Sequence, residues 1–539
     1  MISLYIIFLI FIIFKYTNGQ STTIPLNDNQ IFSSNITSGV HQHYFFSTSS
    51  VSKSIINQNS IGPSPLINSI ITTKDNKTTT NTIIKRDPTT PIYLTLTSCS
   101  QPIPPPHYTG IIPTIDLYIS TDGGNTLPGP TKNQNNDTVD KSKPGRISWQ
   151  NDQIDNLWIG VVAPTLTEGW TGEWKYEIGL STNQWMHPLF SQNDSMTLED
   201  TDNTHALFLT KPIIMPQHNN ITTLITLNVP KELKYSYCAI KSYQISSPVN
   251  VTNRPLPDNY IQQYIMVSNL TQSQSYTAYM IETMPGGVTG ISVPLLLRMK
   301  NDPTCRLIYN LDFCDQVAYS VPTDANQDIW NITRSYDRQA QALFDPFSTA
   351  LKQYNCNSTQ YSLVRNCDDC YRDYKRWLCS VTIPRCTTLA TDEQQQQNAN
   401  NNSNDSMVMM KPLPTPSVRN VLFNQSRNKW IDQTYQLSSN GWTELLPCID
   451  ICYQVVQSCP PFLQFNCPEG DLARLQYGYW KTQQNESLGT VYDLNHPTCN
   501  RVGLNTSLLV ISRGILNYEP SFILFILSLI FNIYIAINK

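Results

Sequence analysis

From about residue 40 to residue 290, apolar and polar positions alternate in short runs separated by turn signals. The runs include His43-Tyr-Phe-Phe-Ser-Thr, Ile92-Tyr-Leu-Thr-Leu-Thr, Ile115-Asp-Leu-Tyr-Ile-Ser, Glu173-Trp-Lys-Tyr-Glu-Ile-Gly, Ala206-Leu-Phe-Leu-Thr and Tyr276-Thr-Ala-Tyr-Met-Ile. A period of two with one half-polar face predicts antiparallel strands packed on one side. Several such strands bounded by Pro, Gly and Asn predict a β-sandwich domain over 40–290. Asp122-Gly-Gly124 and the polar stretch to Lys143 read as a long loop between strands, and the threonine-rich stretch 71–90 as another. Glu199-Asp-Thr-Asp202-Asn reads as a solvated acidic loop, because it lacks the glycine and distal glutamate of a helix–loop–helix calcium site.

After residue 300 the period lengthens. Tyr336, Ala340, Leu343, Phe344, Phe347, Leu351 and Tyr354 share one helical face, and Pro346 is expected to kink that helix or split it. Cys367, Cys370, Tyr371, Tyr374, Trp377 and Leu378 form the apolar face of a second helix. Its other side carries Asp368, Asp369, Arg372, Asp373, Lys375 and Arg376, with Asp368 and Arg372 spaced to pair. A third helix places Cys448, Cys452, Val455, Val456 and Cys459 together and stops at Pro460-Pro461. A Gln/Asn-rich insertion at 393–416 interrupts the domain and is expected to be disordered. The expected fold class is multi-domain α+β, an N-terminal antiparallel β-sandwich followed by a disulfide-rich, mainly helical domain over 300–500.

The chain has 14 cysteines. Two, Cys99 and Cys238, lie in the β-rich part, where one bridge between them is the economical reading. The others are Cys305, Cys314, Cys356, Cys367, Cys370, Cys379, Cys386, Cys448, Cys452, Cys459, Cys467 and Cys499. An even number at helical spacings predicts a disulfide framework whose connectivity spacing alone does not reveal. Cys367-x-x-Cys370 invites a zinc reading, but zinc needs two more thiolate or imidazole ligands, and His496 is the one histidine in the region. No metal or cofactor is expected.

Both ends bear on location. Residues 2–14 are almost unbroken apolar sequence followed by small residues at Thr17 and Gly19, which predicts a signal peptide over 1–19. Residues 522–537 are apolar except for Ser528 and Asn532. As a helix they would be about 24 Å long, so a C-terminal anchor over 505–539 is expected, either a membrane helix or a GPI signal. Asn-x-Ser/Thr sequons at Asn35, Asn76, Asn136, Asn193, Asn220, Asn250, Asn269, Asn331, Asn357, Asn401, Asn404, Asn424, Asn485 and Asn505 agree with an extracellular or lumenal chain. The net charge of −4 and the lack of a dense basic patch exclude nucleic acid as a partner. No nucleophile elbow, zinc-protease helix or phosphate-cradling glycine loop occurs, so no enzyme is expected. The mixed charges and aromatics of the second helix suit protein binding, with Arg372, Asp373, Lys375 and Arg376 as candidates.

Three segments carry a specific likeness: Phe313-Cys314-Asp-Gln-Val-Ala-Tyr-Ser-Val-Pro322; Cys367-Asp-Asp-Cys370-Tyr-Arg-Asp-Tyr-Lys-Arg-Trp-Leu-Cys379 on to Cys386; and the segment from Cys448 to Cys459. Together they resemble the fungal stretch-activated calcium channel component, the mating-induced-death protein family. The cysteine-rich part is also similar to the extracellular auxiliary subunit of the animal sodium leak channel, with its frizzled-like fold. The resemblance implies an accessory subunit at the outer face of the plasma membrane, binding the large pore-forming subunit of a high-affinity calcium influx system; a cell-surface frizzled-like receptor or adhesion protein, and a self-assembled stretch-activated cation channel, are the alternative readings.

Overall fold

The computed structural model describes residues 23–48, 91–130, 139–152, 154–191, 196–214, 220–256, 259–284, 286–354, 365–387, 416–422, 424–437, 441–479 and 498–502, and two short strands at Gln483–Asn485 and Gly489–Val491. The expected signal peptide, the C-terminal anchor and all but the last residue of the 393–416 insertion lie outside the described residues. The chain divides into two compact units, one built from Met1–Ser195, Pro216–Ser246 and Tyr276–Leu296, the other from Met196–Met215, Ser247–Ser275 and Leu297–Lys539. The expected limits of 40–290 and 300–500 run differently, because two β-segments between 196 and 275 belong with the cysteine-rich unit.

In the first unit two sheets face each other. One orders the strands Ile24–Pro25, His41–Ser47, Asn156–Val162 and Asp116–Ser120. The other orders Gln30–Ile36, Trp174–Ser181, Ile92–Ser100, Arg146–Asn151 and Asp140–Lys143. Alternate residues of both sheets point inward and share one core: Tyr44, Phe46, Leu117, Ile159 and Val161 from the first, Leu94, Leu96, Trp149, Trp174 and Ile178 from the second. Close approach of the Pro128 backbone to the strand Asn156–Val162 requires Gly160. A Cβ there would lie 2.0 Å from the Pro128 carbonyl oxygen. A further sheet orders Leu189–Phe190, Thr289–Ser292, Ser275–Thr283 and Asn220–Thr226. The short helix Tyr237–Ser242 packs Ile240 against it beside Leu224, Tyr279 and Ile281, and Cys238 bridges that helix to Cys99 on Ile92–Ser100.

The second unit is α+β, not mainly helical. Its largest sheet orders Met196–Thr201, Ala206–Thr210 and Tyr260–Val267, with Val249–Pro255 along the far side of the last. Cys305–Ile308 pairs with Tyr319–Pro322, and Arg385–Thr387, Trp442–Leu445 and Val418–Val421 form a third group. Helical cysteine spacing misled here. Cys305 and Cys386 are strand residues, and Cys448 and Cys459 are the two caps of a helix rather than its interior.

Among the described residues of the second unit the helices are Ile329–Leu351, Cys367–Thr382, Lys429–Thr434, Ile449–Ser458 and Gly470–Gln476. Ile329–Leu351 runs through Pro346 without being split. Pro346 and Ala342, whose carbonyl the proline leaves without a donor, are both exposed, so water can serve that carbonyl. On this helix Tyr336, Ala340, Phe344 and Leu351 are buried, whereas Leu343 is exposed. Cys367–Thr382 begins with a capping box in which the Asn366 side chain accepts from the Asp369 N–H and the Asp369 carboxylate accepts from the Asn366 N–H.

Candidate functional site

The Cys367–Thr382 helix is the most heavily tied element of the second unit. Cys370 bridges to Cys459 and Cys379 to Cys314, and Cys367 is disulfide-bonded as well. Cys305–Cys386, Cys448–Cys499 and Cys452–Cys467 complete the bridges described. Cys356 lies outside the described residues. Beneath the helix Phe347 stacks on Tyr374 with centroids 3.5 Å apart, and Trp377 meets Phe465 edge-on at 4.8 Å. The Trp377 indole N–H donates to the Tyr477 hydroxyl at 2.9 Å, satisfying a polar group that burial would otherwise orphan.

The charged side of this helix is largely consumed by the fold. Asp373 is buried, accepting from the Ser458 hydroxyl and from Arg372 Nε at 3.2 Å. Lys375 Nζ sits 4.8 Å from the Phe313 ring centroid and 3.4 Å from Asp315. Arg376 donates to Gln316 at 3.2 Å and to Gln454 at 3.3 Å, and burial pulls its guanidinium below its ordinary range. Arg372 pairs with Asp369 at 2.9 Å and with Asp373, not with Asp368. Its side chain is 51% exposed, the most open of the four candidates.

A second polar centre lies in the same unit, in the segment expected to be a solvated acidic loop. The strand Met196–Thr201 has an irregularity between Leu198 and Asp200, and such a bulge re-aims the side chain that follows it. Asp200 is buried, and its carboxylate receives Lys300 Nζ at 2.7 Å, Arg385 Nε at 3.1 Å and the Ser320 N–H at 3.0 Å. Burial pushes its carboxyl up, but Arg385, Lys300 and the Ser320 bond outweigh this and hold it at about 2. Arg385 also donates to the Glu199 carbonyl at 2.7 Å and lies over the Tyr319 ring. Asp202, likewise buried, accepts from the N–H groups of Thr204, His205 and Leu307 at 2.7, 2.6 and 3.1 Å. Burial pushes its carboxyl up, but the His205 imidazole 3.2 Å away and the Thr204 and Leu307 N–H bonds outweigh this and bring it down. Both aspartates are therefore structural anions that fasten strands to one another.

None of this is an assembled reaction centre. The one cluster of metal-ligand type among the described residues is Cys99, Glu177 and Cys238, and its two sulfurs are bonded to each other, leaving no thiolate. Among the described residues no helix is long and apolar enough to cross a membrane. The sequon side chains that are described, at Asn35, Asn250, Asn269, Asn331 and Asn424, are exposed.

Fold and bridges thus define a disulfide-stapled, two-unit α+β protein whose polar centres serve its architecture. Residues 91–504 match the Mid1 family, described as stretch-activated Ca2+-permeable channel components, and the chain belongs to that family. It is 31% identical over 336 residues to the stretch-activated cation channel MID1 of Saccharomyces cerevisiae, covering 60% of this chain and 53% of that one. The Schizosaccharomyces pombe stretch-activated cation channel yam8 is 29% identical over 57% of this chain and 60% of its own. The chain spans about half the length of the relatives it matches. The family is one of channel components, not of enzymes.

Proposed function

We propose that this chain is an extracellular accessory subunit of a plasma-membrane calcium channel, promoting calcium influx by docking on a large pore-forming subunit. The observation that carries the reading is the set of disulfides. Cys305–Cys386, Cys314–Cys379 and Cys370–Cys459 join segments 65 to 89 residues apart, and such frameworks persist in oxidising compartments. Membership of a family of Ca2+-permeable channel components supplies the physiological setting. The frizzled-like character of the cysteine-rich unit, the signal peptide over 1–19, the anchor over 505–539 and N-glycosylation of the sequons belong to the same reading.

The docking surface is sought around Arg372, the one of the four charged candidates with half its surface open. Asp373, Lys375 and Arg376 contribute by fixing the helix that presents it. Purification of the tagged chain from solubilised membranes tests the proposal. A large multi-span channel protein in the eluate supports it; recovery of a soluble ligand or wall polysaccharide in its place favours a surface receptor.

A further inference from the structure

Sheet edges expose unpaired N–H and C=O groups, and a flat, apolar edge strand invites pairing with another chain. Two strands here carry that hazard. Among the described residues Gln30–Ile36 pairs only with Trp174–Ser181, and Val249–Pro255 only with Tyr260–Val267. The first exposes Ile31 and Phe32 (41% and 37%), the second Val249 and Val251 (39% and 41%). Each also carries a sequon whose asparagine is exposed, Asn35-Ile-Thr37 on the first and Asn250-Val-Thr252 on the second. A third sequon, Asn220-Ile-Thr222, opens the strand Asn220–Thr226, the outer strand of its sheet, with Asn220 in register with Thr283. Thr226, at the far end of that strand, is covered by a bridge to Gln244. Among the described residues no sequon falls in a strand paired on both sides.

We propose that N-glycans at Asn35, Asn220 and Asn250 act as edge guards, blocking strand-to-strand association of this protein with other chains. The modification joins the asparagine Nδ2 to the anomeric carbon of a lipid-pyrophosphate-linked oligosaccharide. The bond from that carbon to the pyrophosphate oxygen breaks, the lipid pyrophosphate leaves, and the amide proton passes to a base. A branched, hydrated glycan beside the open edge excludes an incoming strand by volume, where soluble proteins commonly use lysine, proline or a bulge. Val249–Pro255 has a proline only at its last position and no lysine, and Gln30–Ile36 has neither. The proposal rests on the extracellular reading above, since the sugar donor is met only in the secretory pathway.

The test uses the full chain expressed through the secretory pathway. Glycopeptide mass spectrometry first reads occupancy. The triple variant Thr37→Ala, Thr222→Ala and Thr252→Ala is then compared with the parent by size-exclusion chromatography with light scattering. The expected result is occupancy at all three sites and at least a doubling of the variant's apparent mass. The control Asn269→Asp with Asn331→Gln, at sequons outside strands, keeps the parental mass. Val251→Lys, which restores a charged edge, lowers the association of a Thr252→Ala single variant. Endoglycosidase trimming of the folded parent gives the same association if the triple variant is retained in the cell. A triple variant and a trimmed parent that both stay at the parental mass overturn the proposal, as does equal association of the control. Sugar at other sequons but not at these three overturns the edge role alone, whereas no sugar anywhere overturns the extracellular reading with it.

Discussion

Lys300 Nζ lies 2.7 Å from Oδ1 of Asp200, and their side chains are 8% and 9% exposed. Breaking a buried ion pair from one side leaves an uncompensated charge and commonly costs about 3–5 kcal/mol. Arg385 remains beside Asp200, so Lys300→Met is expected near the lower end, about 3 kcal/mol, in denaturant unfolding. The aspartate's folded pKa of about 2 lies below its ordinary 3.8. Its stabilisation is therefore complete above about pH 4 and is lost as pH falls through about 2. Asp200→Asn is expected to flatten that part of the stability–pH curve; an unchanged profile would show that the carboxylate is not held in this state.

The bridges differ in the length of chain they constrain. Cys370–Cys459 spans 89 residues and Cys452–Cys467 spans 15. On the chain-entropy account their removal costs about 4.5 and about 3 kcal/mol. The double variant Cys370→Ser with Cys459→Ser is expected to be retained in the secretory pathway and to lose calcium influx. Cys452→Ser with Cys467→Ser is expected to be milder in both surface level and influx. Equal and normal surface levels for both would remove the structural role assigned to the staples.

Charge reversal on the Cys367–Thr382 helix is expected to act through stability. Arg376→Glu discards the bonds to Gln316 and Gln454 and places an anion near buried Asp373, so its melting temperature should fall. Arg372→Ala, at a half-open ion pair, should cost no more than about 1 kcal/mol. Comparable melting temperatures for Arg376→Glu and the parent would contradict the packing of this face.

Gly160 tolerates no side chain. With the Pro128 carbonyl oxygen 2.0 Å from the position of a Cβ, Gly160→Ala must displace backbone in the centre of a sheet. The expected loss is about 1–3 kcal/mol, as for overpacked cores, read as a lowered denaturation midpoint. A midpoint at the parental value would show that the contact relaxes freely.

The elements were legible where one local signal decided them. The alternating runs that begin at His43, Ile92 and Ala206 start within strands of the structure and the run at Glu173 enters one at Trp174, and Pro460 does end a helix at Ser458. What escaped depended on partners distant in sequence. Asp200 and Asp202 read as a solvated loop because Lys300 and Arg385, the cations that fold against Asp200, lie 100 and 185 residues away. The one local hint was that Asp200 and Asp202 stand two residues apart, the period of one strand face, shortly before the strand-like run from Ala206. Asp373 read as surface because its neighbours are charged, yet Ser458, 85 residues on, is its partner. Cysteine spacing showed that bridges exist but not that Cys305 and Cys386 staple strands.

Calcium influx after replacement of the tail tests the central claim most directly. If the folded units work by docking on a pore-forming subunit, everything after Asn505 serves only to hold them at the membrane, where tethering raises local concentration. Cells in which that tail is exchanged for an unrelated external anchor are expected to retain influx, and to lose it when the large channel subunit is deleted. Loss of influx on tail exchange at normal surface levels, or influx that persists without the large subunit, would contradict the accessory role and point to a pore formed by this chain itself.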